Sequence, residues 1–150
     1  PVIANLFTSP TTLEIVRPHL SHVLVYADRP DGKHLLEALT NKESLMVVRQ
    51  QAAFALGEMA CVKAIQPLFA IIRKGSPNPR LMTDCINALL SITKQTNQQA
   101  ALHEIRQTMQ NMLGVGEIRE KALRSIGSQV VHICNHRLTP DASGSTGLQQ

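Results

Sequence analysis

The sequence has no tryptophan and few aromatic residues of any kind; Phe7, Phe54, Phe69 and Tyr26 make up the whole 3%. A core for 150 residues must then come from Leu, Ile, Val, Ala and Met. Such a core suits close helix–helix packing better than a sheet sandwich, whose strands favour aromatic and β-branched residues. Cysteine is sparse and odd in number, with Cys61, Cys85 and Cys134 only. That excludes a disulfide framework and predicts a reducing, cytoplasmic setting. No apolar run approaches the length of a bilayer span, so no membrane partner is expected. There is no Gly-x-Ser-x-Gly nucleophile elbow and no phosphate-binding glycine loop; Gly114-Val115-Gly116 lacks both a preceding strand and a following lysine.

What is present is helical periodicity. Apolar residues recur at three- and four-residue spacings, and no long segment alternates with a period of two, which predicts an all-α chain without strands. The length fits one domain. Net charge is +4, and between residues 59 and 110 the six cations Lys63, Arg73, Lys74, Arg80, Lys94 and Arg106 outnumber Asp84 and Glu104. A basic centre of this size suits nucleic acid, an acidic protein or simple solvation.

The pattern is organised around Val48-Arg49-Gln50-Gln51-Ala52-Ala53-Phe54-Ala55-Leu56-Gly57. It recurs 70 residues on, where Ile118, Arg119, Ala122, Ile126 and Gly127 match Val48, Arg49, Ala52, Leu56 and Gly57. Ala88-Leu89 follows Ala55-Leu56 by 33 residues and marks a degenerate middle copy. Echoes at such offsets are the mark of repeat architectures, in which each unit buries its apolar face against the next.

In chain order, residues 1–10 read as a lead-in, and a helix is expected from Thr11 to about Ala27, with Leu13, Val16, Leu20, Val23 and Leu24 inward and, at Pro18, a kink or a break into two short helices. Asp28-Arg29-Pro30-Asp31-Gly32 is a turn. Helices are then expected over roughly 32–41, 44–60 and 64–74, the last stopped by Gly75 in the left-handed conformation, with Pro67 in its first turn. Ser76-Pro77-Asn78-Pro79 is a rigid loop in which Asn78 caps and Pro79 opens a helix carrying Met82, Cys85, Ile86, Leu89 and Ile92. Thr96 to Gln99 has capping-box form, and Leu102, Ile105, Met109 and Met112 continue the stripe. After Gly114-Val115-Gly116 a last helix, favoured by Glu117 and Glu120, runs to Arg137. The Gly/Ser-rich residues 139–150 read as a disordered tail.

The Val-Arg-x-x-Ala-Ala-x-x-Leu-Gly stretch resembles the second helix of a HEAT repeat of the kind found in phycobilin lyases. The resemblance covers about residues 31–137. It implies a short right-handed α-solenoid: a capping element over 1–30, about three HEAT-like hairpins over 31–138, and stacked second helices presenting a polar concave surface. In that family the repeat arginine ties a neighbouring loop, so Arg49 and Arg119 are expected to be structural. The usual aspartate six residues earlier is Glu43 in the first copy and Leu113 in the third, so the familiar Asp–Arg ladder is incomplete.

The function expected is a non-catalytic scaffold or adaptor binding another protein, with contacts at the outward positions Gln50, Arg80, Asp84, Asn87, Glu120 and Arg124. Two alternatives stand beside it. HEAT-like DNA glycosylases grip the backbone through a basic face, for which Arg49, Arg80, Arg119 and Arg124 are the candidates here; but Arg80 and Asp84, four apart on a helix, are expected to neutralise each other. Enzyme relatives include bilin lyases and di-iron hydroxylases, the latter built on several His-Glu dipeptides where this chain has only His103-Glu104. His132 and His136 share a helix face, but Cys134 lies opposite, and two ligands are too few for zinc. His19 and His22 have no acidic partner at metal spacing. No metal, cofactor or catalytic residue is therefore expected.

Overall fold

The structure, a computed structural model, describes residues 2–12, 14–27, 29, 31–75 and 78–139. The expectations for Leu13, Asp28, Pro30, Ser76-Pro77 and the tail from residue 140 lie outside them. Every regular element among the described residues is helical: α1 (Val2–Thr8), α2 (Arg17–Ala27), α3 (Lys33–Thr40), α4 (Met46–Glu58), a 3-10 turn (Val62–Ala64), α5 (Ile65–Lys74), α6 (Pro79–Gln95), α7 (Gln99–Gly114) and α8 (Lys121–Arg137). None of these helices is long and apolar enough to cross a membrane.

Each odd-numbered helix packs on the even one that follows it, α1 on α2, α3 on α4, α5 on α6 and α7 on α8. The even helices also pack in succession, α2 on α4, α4 on α6 and α6 on α8, with α4 against α6 the most extensive contact. The sequence match between these two helices explains that contact. Val48, Ala52, Ala53, Ala55 and Leu56 of α4 are all buried, and so are their counterparts Leu81, Cys85, Ile86, Ala88 and Leu89 of α6. Small residues at the crossing let the backbones approach: a Cβ on Gly57 would stand 2.9 Å from the Ala88 Cα. Around the crossing lies an aliphatic core in which Leu35, Leu39, Ile65, Leu68, Ile86, Leu102 and Ile105 are fully buried with Phe7 and Phe69. Each such side chain contributes about 1.5–3 kcal/mol of burial free energy.

Several starts and stops follow from local chemistry. Asn78 Oδ1 accepts the amides of Arg80 (2.9 Å) and Leu81 (3.3 Å), and Pro79 occupies the first position of α6, as its sequence requires. Pro67 sits in the first turn of α5, where no amide is lost. Gly32 precedes α3 at φ 64°, and a Cβ there would meet Leu56 Cδ2 at 2.8 Å, so only glycine fits.

Other expectations are corrected. The lead-in contains a helix, α1, held by the burial of Ala4 and Phe7. No helix runs from Thr11; residues 14–16 are turns, and α2 begins at Arg17, so Pro18 lies in its first turn and kinks nothing; Leu24 is buried as expected, but Val16 and Val23 are exposed. The reason is Arg17 itself. It is 2% exposed, with Nε donating to the Phe7 carbonyl (3.0 Å) and Nη2 to those of Ser9 (2.7 Å) and Thr12 (3.2 Å). These bonds fold the α1–α2 connection back over the start of α2. Thr96 forms no capping box: α7 starts three residues later, the Thr96 hydroxyl accepts the Gln98 amide (3.2 Å), and Gln99 reaches the end of α8, donating to Arg137 O (3.3 Å) and accepting the Thr139 amide (2.9 Å). Gly75 ends α5 at φ 76° but ψ 160°, an extended glycine conformation rather than the left-handed helical one.

The third copy of the repeat is displaced. Ile118 is buried in a non-helical segment, Glu120 is extended at ψ 131°, and α8 begins only at Lys121. Ala122, the sequence match of Ala52, is exposed, while Leu123, Gly127, Val130 and Cys134 face the core. The fourth residue of α8 is Arg124, as the fourth of α4 is Arg49.

Candidate functional site

That displacement exchanges the roles of two arginines. Arg49 Nε donates to the Leu39 carbonyl (2.9 Å) and holds the end of α3, as expected. The sequence match assigns Arg119 the same part; instead it is exposed and makes no hydrogen bond among the described residues. Arg124, expected to face a partner, takes that part, with Nη1 on Ile118 O (2.9 Å) and Nη2 on Leu113 O (3.3 Å). Arg124, like Arg49, is the fourth residue of its helix, and from there its side chain reaches back to carbonyls that precede the helix.

Of the other outward positions, Gln50, Arg80 and Asp84 converge. They line one groove of about 370 Å³ between α2, α4 and α6. Helix α4 is packed by α2, α3 and α6, and the strip of it between α2 and α6 stays open. Val47, Gln50, Gln51, Phe54 and Glu58 lie at helical spacing along that strip, and all five line the groove. Opposite them stand Pro18, His22 and Val25 of α2 and the pair from α6. Asn87 is exposed one turn beyond Asp84 on α6, outside the groove lining. Glu120 lies at a different cavity with Arg119.

Two side chains of the groove bear on what it can hold. Phe54 is 62% exposed. Gln51 Oε1 is buried yet has no hydrogen-bond partner, the one such side-chain atom among the described residues. An unmet buried acceptor costs about 1–3 kcal/mol. Neither residue stands out in the sequence; the signal is there as a second apolar-to-polar stripe, Val47, Gln50, Gln51, Phe54, displaced from the core stripe of the same helix.

The groove rim carries charge of both signs. Arg80 and Asp84 form no ion pair, contrary to their expected mutual neutralisation. Burial pushes the Asp84 carboxyl above the ordinary carboxylate range, and the charge of Arg80 offsets part of that rise. At the α2 side His22 meets Tyr26 edge-on, ring centroids 5.6 Å apart, and the Arg29 guanidinium lies 5.2 Å from the Tyr26 centroid.

The metal-like clusters stay apart. His132 and His136 stack edge-on at 4.5 Å on the exposed side of α8, while Cys134 is buried on the other. His103 Nδ1 lies 3.3 Å from Arg106 Nη2. Among the described residues no three His, Cys, Asp or Glu side chains are grouped to hold a metal ion. Compared with protein families, curated proteins and solved structures, the chain matches none of them.

Proposed function

We propose that this chain is a non-catalytic protein-interaction module, a short right-handed solenoid of HEAT-like hairpins that receives a segment of another protein along the α2–α4–α6 groove. The successive packing of the even helices supports the stacked arrangement. The observation that carries the reading is exposed Phe54 lining that groove. An apolar side chain of a bound segment laid over Phe54 removes its ring from water, a gain of up to about 1.5–3 kcal/mol. A central aromatic anchor inside a charged rim is the usual form of an interface hot spot, and Arg80, Asp84 and Glu58 supply that rim.

The test is quantitative co-purification from a native extract with wild type, Phe54→Glu and, as a surface control, Val115→Glu; Val115 is equally exposed (64%) but lies beyond α7. A protein retained by wild type and the control and absent with Phe54→Glu supports the reading. Retention of the same proteins by all three variants overturns it.

A further inference from the structure

A second cavity, of about 290 Å³, sits where the α3–α4 connection meets the end of α5, and it carries cations without a carboxylate. Lys42 comes from the connection, Arg49 from the first turn of α4 and Lys74 from the last residue of α5. Met46, Ile71 and Leu81 give it an apolar floor. Glu43, next to Lys42 in sequence, lines a separate cavity with Glu37, and Glu117, which shares the neighbouring cavity with Lys74 and Glu120, is bonded to Arg73 at 3.1 Å.

Among the described residues none of the three cations is in an ion pair. Arg49 uses only Nε, on the Leu39 carbonyl, which leaves both terminal guanidinium nitrogens without a hydrogen bond. Lys74 and Lys42 line the same cavity. Interaction with the Lys42 side chain, then the Lys42 charge, slight desolvation and the charge of Arg49 lower the Lys74 pKa. Like charges gathered beside an apolar floor repel, and the repulsion is relieved when an anion sits among them.

We propose that this cavity binds a phosphoryl dianion, with the free guanidinium edge of Arg49 and the ammonium groups of Lys42 and Lys74 as its donors. A guanidinium fork matches two phosphate oxygens, and two mobile ammonium groups close on the rest. The cavity accommodates one phosphoryl group with a small substituent, so its sources are free phosphate or a small phosphomonoester. This site is separate from the α2–α4–α6 groove, and its test does not depend on that reading.

The experiment is calorimetric titration and thermal melting of the full chain at low ionic strength, with sodium phosphate, glycerol phosphate and, as ionic-strength control, sodium chloride. Wild type, the double variant Lys42→Gln/Lys74→Gln and Lys94→Gln, a lysine of the α6 terminus, are compared; Arg49 is kept because it also holds α3. Phosphate or the ester is expected to bind at one site and raise the melting temperature more than matched chloride. The tighter of the two identifies the source. The double variant should bind about tenfold more weakly or worse, and Lys94→Gln as wild type does. Without ligand, the double variant should melt no lower than wild type, because repulsion has been removed. Equal stabilisation by chloride, unchanged affinity in the double variant, or a lowered melting point of that variant without ligand overturns the proposal.

Discussion

Arginines show most clearly how position sets the part a residue plays. Arg17, Arg49 and Arg124 each bond carbonyls of the preceding connection or of the helix end before it, and Arg17 does so from full burial. Replacing Arg17 with Ala leaves three carbonyls without their donor and should lower stability by about 1.5–3 kcal/mol, as for hydrogen bonds to a charged group. Arg49→Ala and Arg124→Ala should each cost about 1–3 kcal/mol, while Arg119→Ala should stay within about 0.5 kcal/mol of wild type. Urea denaturation of the four variants checks the order, and a destabilised Arg119 variant would restore the sequence match over the structural one. Asp84 gives a test of sign. Its folded pKa is raised by burial, so the folded state binds the proton more tightly than the unfolded chain. Its contribution is therefore unfavourable once pH rises above the ordinary carboxylate value of about 4, and absent below it. Asp84→Asn should raise the melting temperature at pH 7 and leave it unchanged near pH 3. A lowered melting temperature at pH 7 would show that Arg80 outweighs burial.

At the scale of elements, two glycines matched in the repeat separate by their surroundings. Gly57 lies where α4 crosses α6, and an added Cβ would stand 2.9 Å from Ala88 Cα and 3.2 Å from its carbonyl oxygen. Backbone cannot yield there, so Gly57→Ala should push the helices apart at a cost of about 1–3 kcal/mol, more than offsetting the gain of about 1 kcal/mol in helix propensity. At Gly127 the added Cβ meets Met109 Sδ at 3.0 Å and Leu113 Cδ2 at 3.4 Å, both ends of flexible side chains. Those can move, and Gly127→Ala should be neutral or stabilising by up to about 1 kcal/mol. Equal effects at the two positions in chemical denaturation would contradict this account of the crossing. Asn78→Ala removes the α6 cap and should cost about 1 kcal/mol.

For the whole molecule, the location of charge and of thiols decides behaviour. Several cations of the basic centre are already engaged: Lys63 with Asp31 (2.9 Å), Arg73 with Glu117 (3.1 Å), and Arg106 with Asn135 Oδ1 (3.3 Å). Too few remain in a row to follow a nucleic-acid backbone. Fluorescence anisotropy with labelled duplex and single strand should show weak binding that disappears near 0.15 M salt, because added cations compete for the phosphates. Tight binding at that salt would promote the nucleic-acid reading. Cys61, Cys85 and Cys134 are all buried, and burial, with the Asp84 charge as a smaller cause, pushes the Cys85 thiol up to about 12. A thiol reagent should leave all three untouched in the native protein and label them in urea, since the thiolate is the reactive form. Labelling of Cys85 under native conditions would show that the α4–α6 contact opens locally.

The sequence by itself determined the helical class, the approximate limits of α3, α4, α5 and α6, and the Asn78-Pro79 start, because periodicity and capping act over a few neighbouring residues. The offset of 33 between Ala55-Leu56 and Ala88-Leu89 pointed to the α4–α6 match, which the structure extends to five buried positions. The α2–α4–α6 groove was half legible: Gln50, Arg80 and Asp84 follow from helical phase, whereas Phe54 and Gln51 read as ordinary helix residues until α2 and α6 leave the strip of α4 between them open. Only the tertiary structure decided the late start of α8 and the exchange of Arg119 for Arg124. Burial of Ile118 and the bond from Arg73 to Glu117 join residues distant in sequence, and they override the local signal that would begin the helix earlier. The same holds for Arg17, whose burial depends on carbonyls that only the folded α1–α2 connection brings together.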